Sequence, residues 1–213
     1  MAILYWGRLF CLCAGFLKLY NILNRLTRKI YRFQEKILGV DFSIVIPVSD
    51  LELDEAKVYR GSSSRSVELF NALSEVNVSK DDSILDIGCS KGGAIYTMYN
   101  FPFSRIDGVE ISKLLASIAQ KNLVKLGCDR TEIFNTNAEL FEGYRNYSFF
   151  YLYNPFDDET LNRVLSKITS CNASFKLMYL NPTGHECVLK HGLIKSDEFP
   201  GIYGNKIYIY TFG

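Results

Sequence analysis

Asp86, Gly88, Gly92 and Glu110 are the residues whose types and spacing suggest chemistry. Asp86 lies in a short apolar run, Ile84-Leu85-Asp86-Ile87, which leads into Gly88-Cys89-Ser90-Lys91-Gly92-Gly93. A second short run, Arg105-Ile106-Asp107-Gly108-Val109-Glu110, delivers Glu110 22 residues after Gly88. The order is strand, glycine turn, helix, strand, acid, which is the layout of a nucleotide-type βαβ half-site. Glycine lets the backbone approach a ligand closely and tolerates positive φ. A carboxylate at the end of the second strand can accept both hydroxyl hydrogens of a ribose. A dinucleotide turn would read G-x-G-x-x-G, with its helix N-terminus open to a pyrophosphate and no acid ahead of it. Here the acid Asp86 stands two residues before Gly88.

The order acid-x-Gly-x-small-x-Gly resembles the first motif of the class I S-adenosylmethionine-dependent methyltransferases, with Ser90 in place of the usual middle glycine. Three further segments extend the resemblance. Ile133-Phe134-Asn135-Thr136-Asn137-Ala138 has the form of that family's third strand and adenine-side residue. Tyr151-Leu152-Tyr153-Asn154-Pro155-Phe156 matches its Asn/Asp-Pro-aromatic motif, and Tyr59-Arg60-Gly61-Ser62 lies where many small bacterial members, and more distantly the Dot1-like lysine methyltransferases, carry a segment that covers the cofactor. The resemblance spans about residues 40–213. It implies a cofactor site in which Asp86, Gly88, Cys89, Ser90 and Gly92 hold the methionine end of S-adenosylmethionine. Glu110 with Ile111 would hold the ribose, Asn137 and Ala138 the adenine, and Tyr59 would form part of the cover. Asn154 and Pro155 would floor the pocket beside the methyl group. The N-methyltransferases of the superfamily carry a second proline before the aromatic, and this chain has one. An alcohol, a carboxylate or a lysine amine thus remains open as the acceptor.

Composition bounds these readings. The 213 residues, 48% of them hydrophobic, suffice for one α/β domain and a small appendage. Lysine and arginine total 24 against 23 acids, a net charge of +1, which argues against the global basic field that a nucleic-acid partner requires. The six cysteines show no C-x-x-C pair and read as small buried hydrophobes of a reducing cytoplasm, with no metal site implied.

The elements that must position these residues follow from periodicity. Strands are expected at 83–87, 105–110, 131–135, 148–153 and 173–180, with helices at 64–76, 92–100, 112–126 and 158–169. Residues 188–194 and 202–212 read as two strands that pair antiparallel, with 195–201 as their connector, and His191 falls in the first of them. Residues 40–48 read as a short edge strand or an extended cover. The expected architecture is an α/β, Rossmann-like class I methyltransferase fold: a mostly parallel seven-stranded sheet closed by a C-terminal antiparallel hairpin.

Residues 1–39 form a separate appendage ahead of the 40–213 domain. Leu9, Leu12, Phe16, Leu23, Ile30, Phe33 and Ile37 recur at helical spacing among Arg8, Lys18, Arg25, Arg28, Lys29, Arg32 and Lys36, with the single acid Glu35. This is a basic amphipathic helix. Its apolar run, Leu9 to Leu17, falls short of the roughly 20 residues that span a bilayer. Its charges follow that run, which argues against a cleaved signal peptide. Two roles are open: a cover over the substrate cleft or a dimer partner, and a peripheral contact with an anionic inner membrane face through residues 8–37.

The functional expectation is a cytoplasmic methyltransferase that acts on a small molecule or a glycan precursor. Protein lysine methylation and a non-catalytic scaffold are the alternatives. Where the acceptor is a hydroxyl a general base is useful, and His185 and Asp157, both just past expected strand ends, are the candidates. Asp157 could equally charge the first turn of the helix that follows, and Pro182-Thr183-Gly184-His185 could be an ordinary turn.

Overall fold

The protein's structure is a computed structural model that describes residues 29–44, 46–47, 67–200 and 205–213. Tyr59 and the helix expected over residues 8–28 lie outside the described residues. A helical segment, α1 (29–38), opens the described chain. The body follows as α2 (Val67–Glu75), β1 (Ser83–Ile87), α3 (Gly93–Met98), β2 (Arg105–Glu110), α4 (Lys113–Lys125), β3 (Ile133–Asn135), β4 (Phe149–Tyr153), α5 (Asp158–Cys171), β5 (Phe175–Leu180), α6 (His185–Lys190), β6 (Ile194–Pro200) and β7 (Lys206–Phe212). The seven strands form one sheet in the order β3-β2-β1-β4-β5-β7-β6. β1 to β5 are parallel, and β7 enters antiparallel between β5 and β6. This is the Rossmann-like methyltransferase fold.

Two helical layers enclose the sheet because the central strands are apolar on both sides. On one face Leu85, Ile87, Phe150, Leu152 and Leu177 meet Leu161, Val164, Leu165 and Ile168 of α5. On the other, Ile84, Tyr151, Met178 and Ile209 meet Leu69 and Leu73 of α2 and Ile95 and Met98 of α3. Each buried α5 side chain contributes about 1.5–3 kcal/mol by leaving water. Local signals set the helix ends. Ser112 Oγ accepts the Leu115 N–H and starts α4, and Asp157 starts α5 by accepting the Thr160 N–H at 2.7 Å.

The C-terminal third departs from the expectation. Residues 185–190 are helical, and Gly192 (φ 79°) follows in the left-handed conformation that ends a helix. His191 is therefore a helix C-cap, its Nε2 3.0 Å from Asn162 Oδ1, and does not lie in a strand. The polar stretch taken for a connector is strand β6. β6 is the sheet edge, exposed along almost its whole length and interrupted between Lys195 and Asp197. Charge, a bulge and a terminal proline protect an edge from pairing with other chains, and they also erase the alternation that marks a strand. Residues 40–44 form no sheet strand; Asp41 bonds to Asn122 of α4 and Phe42 stacks on Tyr96 of α3.

The closest approach in the β1–β2 crossover is at Gly108. A Cβ there would lie 2.5 Å from Cys89 Sγ and 2.7 Å from Ile95 Cδ1. Both neighbours are buried and fixed. Gly108→Ala is expected to destabilise the fold by about 1–3 kcal/mol through overpacking, and Cys89→Ala in the same chain should recover part of that loss. Thermal denaturation of the two variants beside the wild type measures both effects.

Candidate functional site

The chain reverses direction across the sheet between β1 and β4, and the crevice at the carboxyl ends of those strands is where open α/β sheets bind ligands. β1 carries Asp86 to this crevice and Gly88 turns the chain (φ 82°), with the Gly88 and Cys89 N–H groups donating to Val109 O at 2.9 and 3.0 Å. Gly92 (φ 83°) precedes α3 as its cap. A Cβ on Gly88 would lie 2.8 Å from Pro155 Cβ, so the glycine turn rests against the Asn154-Pro155 turn at the end of β4.

Glu110 fixes the turn from the other side. Its Oε2 accepts the Ser90 N–H and its Oε1 the Ser112 N–H, both at 2.8 Å. Each oxygen retains acceptor capacity for a ligand hydroxyl. Asn135 Nδ2 donates to the Glu110 and Ile111 carbonyls, locking the β2 tip, while the Ile111 side chain is exposed beside it.

Asp86 and Glu110 are 2% and 5% exposed, and among the described residues neither has an ion-pair partner. Asp86 Oδ2 is buried without a hydrogen-bond partner. Burial, reinforced for Asp86 by the nearby Glu110, holds both carboxyls above their ordinary range. Cys89 is pushed up by burial and by the same two acids, which makes it an inert packing residue and no nucleophile.

Backbone strain gathers at this rim. Ser90 (φ 49°), Asn154 (φ 42°) and Asn181 (φ 54°) are the non-glycine residues with positive φ among those described, and they follow β1, β4 and β5. Ser90 thus adopts the left-handed turn that the middle glycine would take without a side-chain penalty. Such conformations persist where the surroundings over-determine them, and they cluster at binding and catalytic sites.

The remaining expected residues separate into two groups. Asn154 is at the crevice, its Oδ1 accepting from Tyr179 Oη at 3.1 Å and from Thr183 Oγ1. Asn137 and Ala138 lie past β3, where the Asn137 side chain caps a 3-10 turn by accepting the Glu139 N–H at 2.9 Å. Asp157 is committed as the α5 cap, and the Thr160 N–H holds its carboxyl below the usual range. His185 opens α6 with Nδ1 2.8 Å from Tyr210 Oη and its ring edge against Tyr208.

Three residues that sequence reasoning passed over form a polar cluster beside the glycine turn: Lys91, Asp41 and Asn122. The buried Lys91 ammonium is held by Asp41 Oδ2 (2.5 Å) and the Ile44 carbonyl (2.6 Å). Asn122 of α4 accepts the Asp41 N–H at 3.0 Å and donates to the Asp41 and Lys91 carbonyls at 2.8 and 3.1 Å. The only available signal was a lysine inside a glycine turn, which needs a partner when buried.

No family model matches the chain, and no curated protein sequence is similar to it. Its likeness to solved structures is one of fold. An S-adenosylmethionine-dependent methyltransferase from Aquifex aeolicus superposes with a TM-score of 0.59 at 10% identity, over 70% of this chain and 92% of that one. A mitomycin 7-O-methyltransferase gives 0.58 at 17% identity, over 72% and 55%. The magnesium protoporphyrin IX methyltransferase from Synechocystis PCC 6803, with bound cofactor, gives 0.53 at 13% identity, over 68% and 74%.

The buried acid has a sign that can be measured. A carboxyl whose folded pKa is raised stays protonated in the native state while the unfolded chain ionises, so stability falls as pH rises from the unfolded pKa, near 3.8 for Asp86, toward the folded one. Asp86→Asn removes that penalty. The melting temperature of Asp86→Asn relative to wild type is therefore expected to rise with pH above about 4, and a pH series of thermal melts measures it; a constant difference contradicts the burial argument.

Proposed function

We propose that the protein is an S-adenosylmethionine-dependent methyltransferase that methylates an oxygen of a small molecule, a glycan precursor among the candidates. The observation that carries this reading is the pair of buried carboxyls, Asp86 and Glu110, at the switch-point crevice, with no ion-pair partner among the described residues. An anionic ligand would meet two like charges there. A ligand with an ammonium, a sulfonium and a ribose meets a complementary carboxylate for its charge and a doubly anchored one for its hydroxyls. The fold shared with methyltransferases of known structure supports the same assignment.

When bound, S-adenosylmethionine supplies a methyl group activated by its sulfonium; the chain's own residues orient, desolvate and accept the proton. Glu110, preset by two backbone donors, receives the ribose hydroxyls. The orphaned Asp86 Oδ2 offers a hydrogen-bond acceptor to the amino-acid end. Gly88 and Pro155 close the floor by direct contact. Alignment of donor and acceptor in such a dry site accounts for most of the rate expected of a methyl transfer.

The polarity of Asn154 favours an oxygen acceptor. Its Oδ1 accepts from two hydroxyls, which leaves its amide N–H donors for a ligand. A donor suits a hydroxyl, carbonyl or carboxylate and opposes an amine N–H, which works against a protein lysine. His185 is the base where the acceptor requires one, since its Nδ1 is oriented by Tyr210. Asp157, held acidic by its cap, is the weaker candidate.

Calorimetric titration with S-adenosylmethionine and S-adenosylhomocysteine tests the cofactor assignment. Micromolar binding is expected, with Glu110→Ala weakening it by a factor of about ten to a hundred, the worth of one or two charge-assisted hydrogen bonds. A folded protein that binds neither compound refutes the reading in favour of a scaffold. Cofactor binding followed by transfer of labelled methyl only to lysine side chains overturns the acceptor assignment alone.

A further inference from the structure

Helix α1 has two opposite sides. Tyr31 is half-buried and Glu35 is 5% exposed, so this side faces the body. The Glu35 carboxylate accepts from the Ser43 N–H at 3.1 Å and the Ser43 hydroxyl at 2.5 Å, closing the turn that follows the helix. The other side carries Ile30, Phe33 and Ile37, which are 54%, 65% and 69% exposed. At 3.6 residues per turn these three fall within about 60° of one another, roughly opposite Tyr31 and Glu35. Lys29, Arg32 and Lys36 are exposed and border the apolar stripe along one edge.

Charge identifies what this surface fits. Residues 1–38 hold seven lysines and arginines and one acid, and that acid is the internal Glu35. The rest of the chain holds 17 basic against 22 acidic residues. Among the described residues of α1 the exposed charges are therefore all positive, while residues 39–213 are net negative. A second copy of this chain would bring a like-charged helix against the stripe. An RNA strand would match the charge and leave Phe33 and Ile37 in water. Among the described residues no helix is long and apolar enough to cross a membrane.

We infer that α1 is an interfacial helix that lays Ile30, Phe33 and Ile37 into an anionic lipid surface, with Lys29, Arg32 and Lys36 at the level of the headgroups. The acidic remainder of the chain is repelled by the same surface, and this fixes which side of the protein faces the lipid. The Glu35 turn and the Asp41–Lys91 pair transmit that orientation to the body.

Flotation of the full-length protein with vesicles of phosphatidylcholine alone, and of phosphatidylcholine mixed with phosphatidylglycerol, tests this surface. The wild type is expected to float with the anionic vesicles alone and to lose binding as salt is raised. Phe33→Ser with Ile37→Ser, both exposed and therefore neutral to folding, should lower the partition coefficient at least about tenfold. Arg32→Gln and Lys36→Gln should each lower it about fivefold at low salt. Binding that the serine pair leaves unchanged would place the contact in another segment and overturn the inference. So would absence of flotation, retention on RNA without retention on vesicles, or a dimer that light scattering shows the serine pair to dissociate.

Discussion

Everything at the crevice hangs on the Glu110 carboxylate. A side chain at the tip of β2 receives the N–H of Ser90 in the glycine turn and the N–H of Ser112 at the head of α4. Three elements that leave the sheet in different directions are thereby pinned to one group. The cost is a carboxylate removed from water, which two backbone donors offset only in part, since burial still holds it above its ordinary range. A charge kept at that cost, next to a second buried acid with an unmatched oxygen, is poorly explained by stability. Replacing buried charged groups by apolar residues of similar volume is often neutral or stabilising. The proposed ligand, with its positive charge and hydroxyl donors, would account for both acids.

The strain at the rim fits the same account. Ser90, Asn154 and Asn181 adopt left-handed backbone at the ends of three strands, and two of them are asparagines followed by proline. Proline disfavours helical backbone in the residue before it, and asparagine tolerates the left-handed region better than most residues. Adjacent strands β4 and β5 thus end in the same device, and the Asn154 amide is clamped by Tyr179 and Thr183 from the β5 side. A clamped amide has one polarity. With its oxygen taken by the two hydroxyls, its N–H donors remain for another partner.

The parts of this arrangement legible in the sequence were those with a local signature. Apolar runs of four to six residues alternating with helical periods located β1 to β5 and α2 to α5 to within a few residues, because parallel strands buried on both faces concentrate hydrophobic residues. The glycine turn and the Glu110 spacing located the crevice for a similar reason: backbone geometry there admits few residue types. The C-terminal third was misread because β6 is a charged edge strand, while Val188 and Leu189 belong to a short helix and Leu193 to its exit. Asp41, Lys91 and Asn122 were invisible for another reason. Their partners lie 31 to 81 positions away, and a polar contact between distant residues leaves no period in the sequence.

That distant contact bears on the electrostatics of the site. Lys91 is the one cation within the glycine turn, between Ser90 and Gly92. Free to swing, its ammonium would be the natural counterion for Asp86 or Glu110, and the crevice would neutralise itself. Asp41, supported by Asn122 and reached through the turn that Glu35 closes, holds the ammonium elsewhere. The pair is only partly buried, Asp41 being about a third exposed, so its net stabilisation is modest. Its consequence for charge is larger than its consequence for stability, because among the described residues the two buried carboxyls are left without an ion-pair partner. The segment after α1 therefore bears on the crevice without touching it: by holding one lysine in an ion pair with Asp41 it keeps that cation from pairing with Asp86 or Glu110.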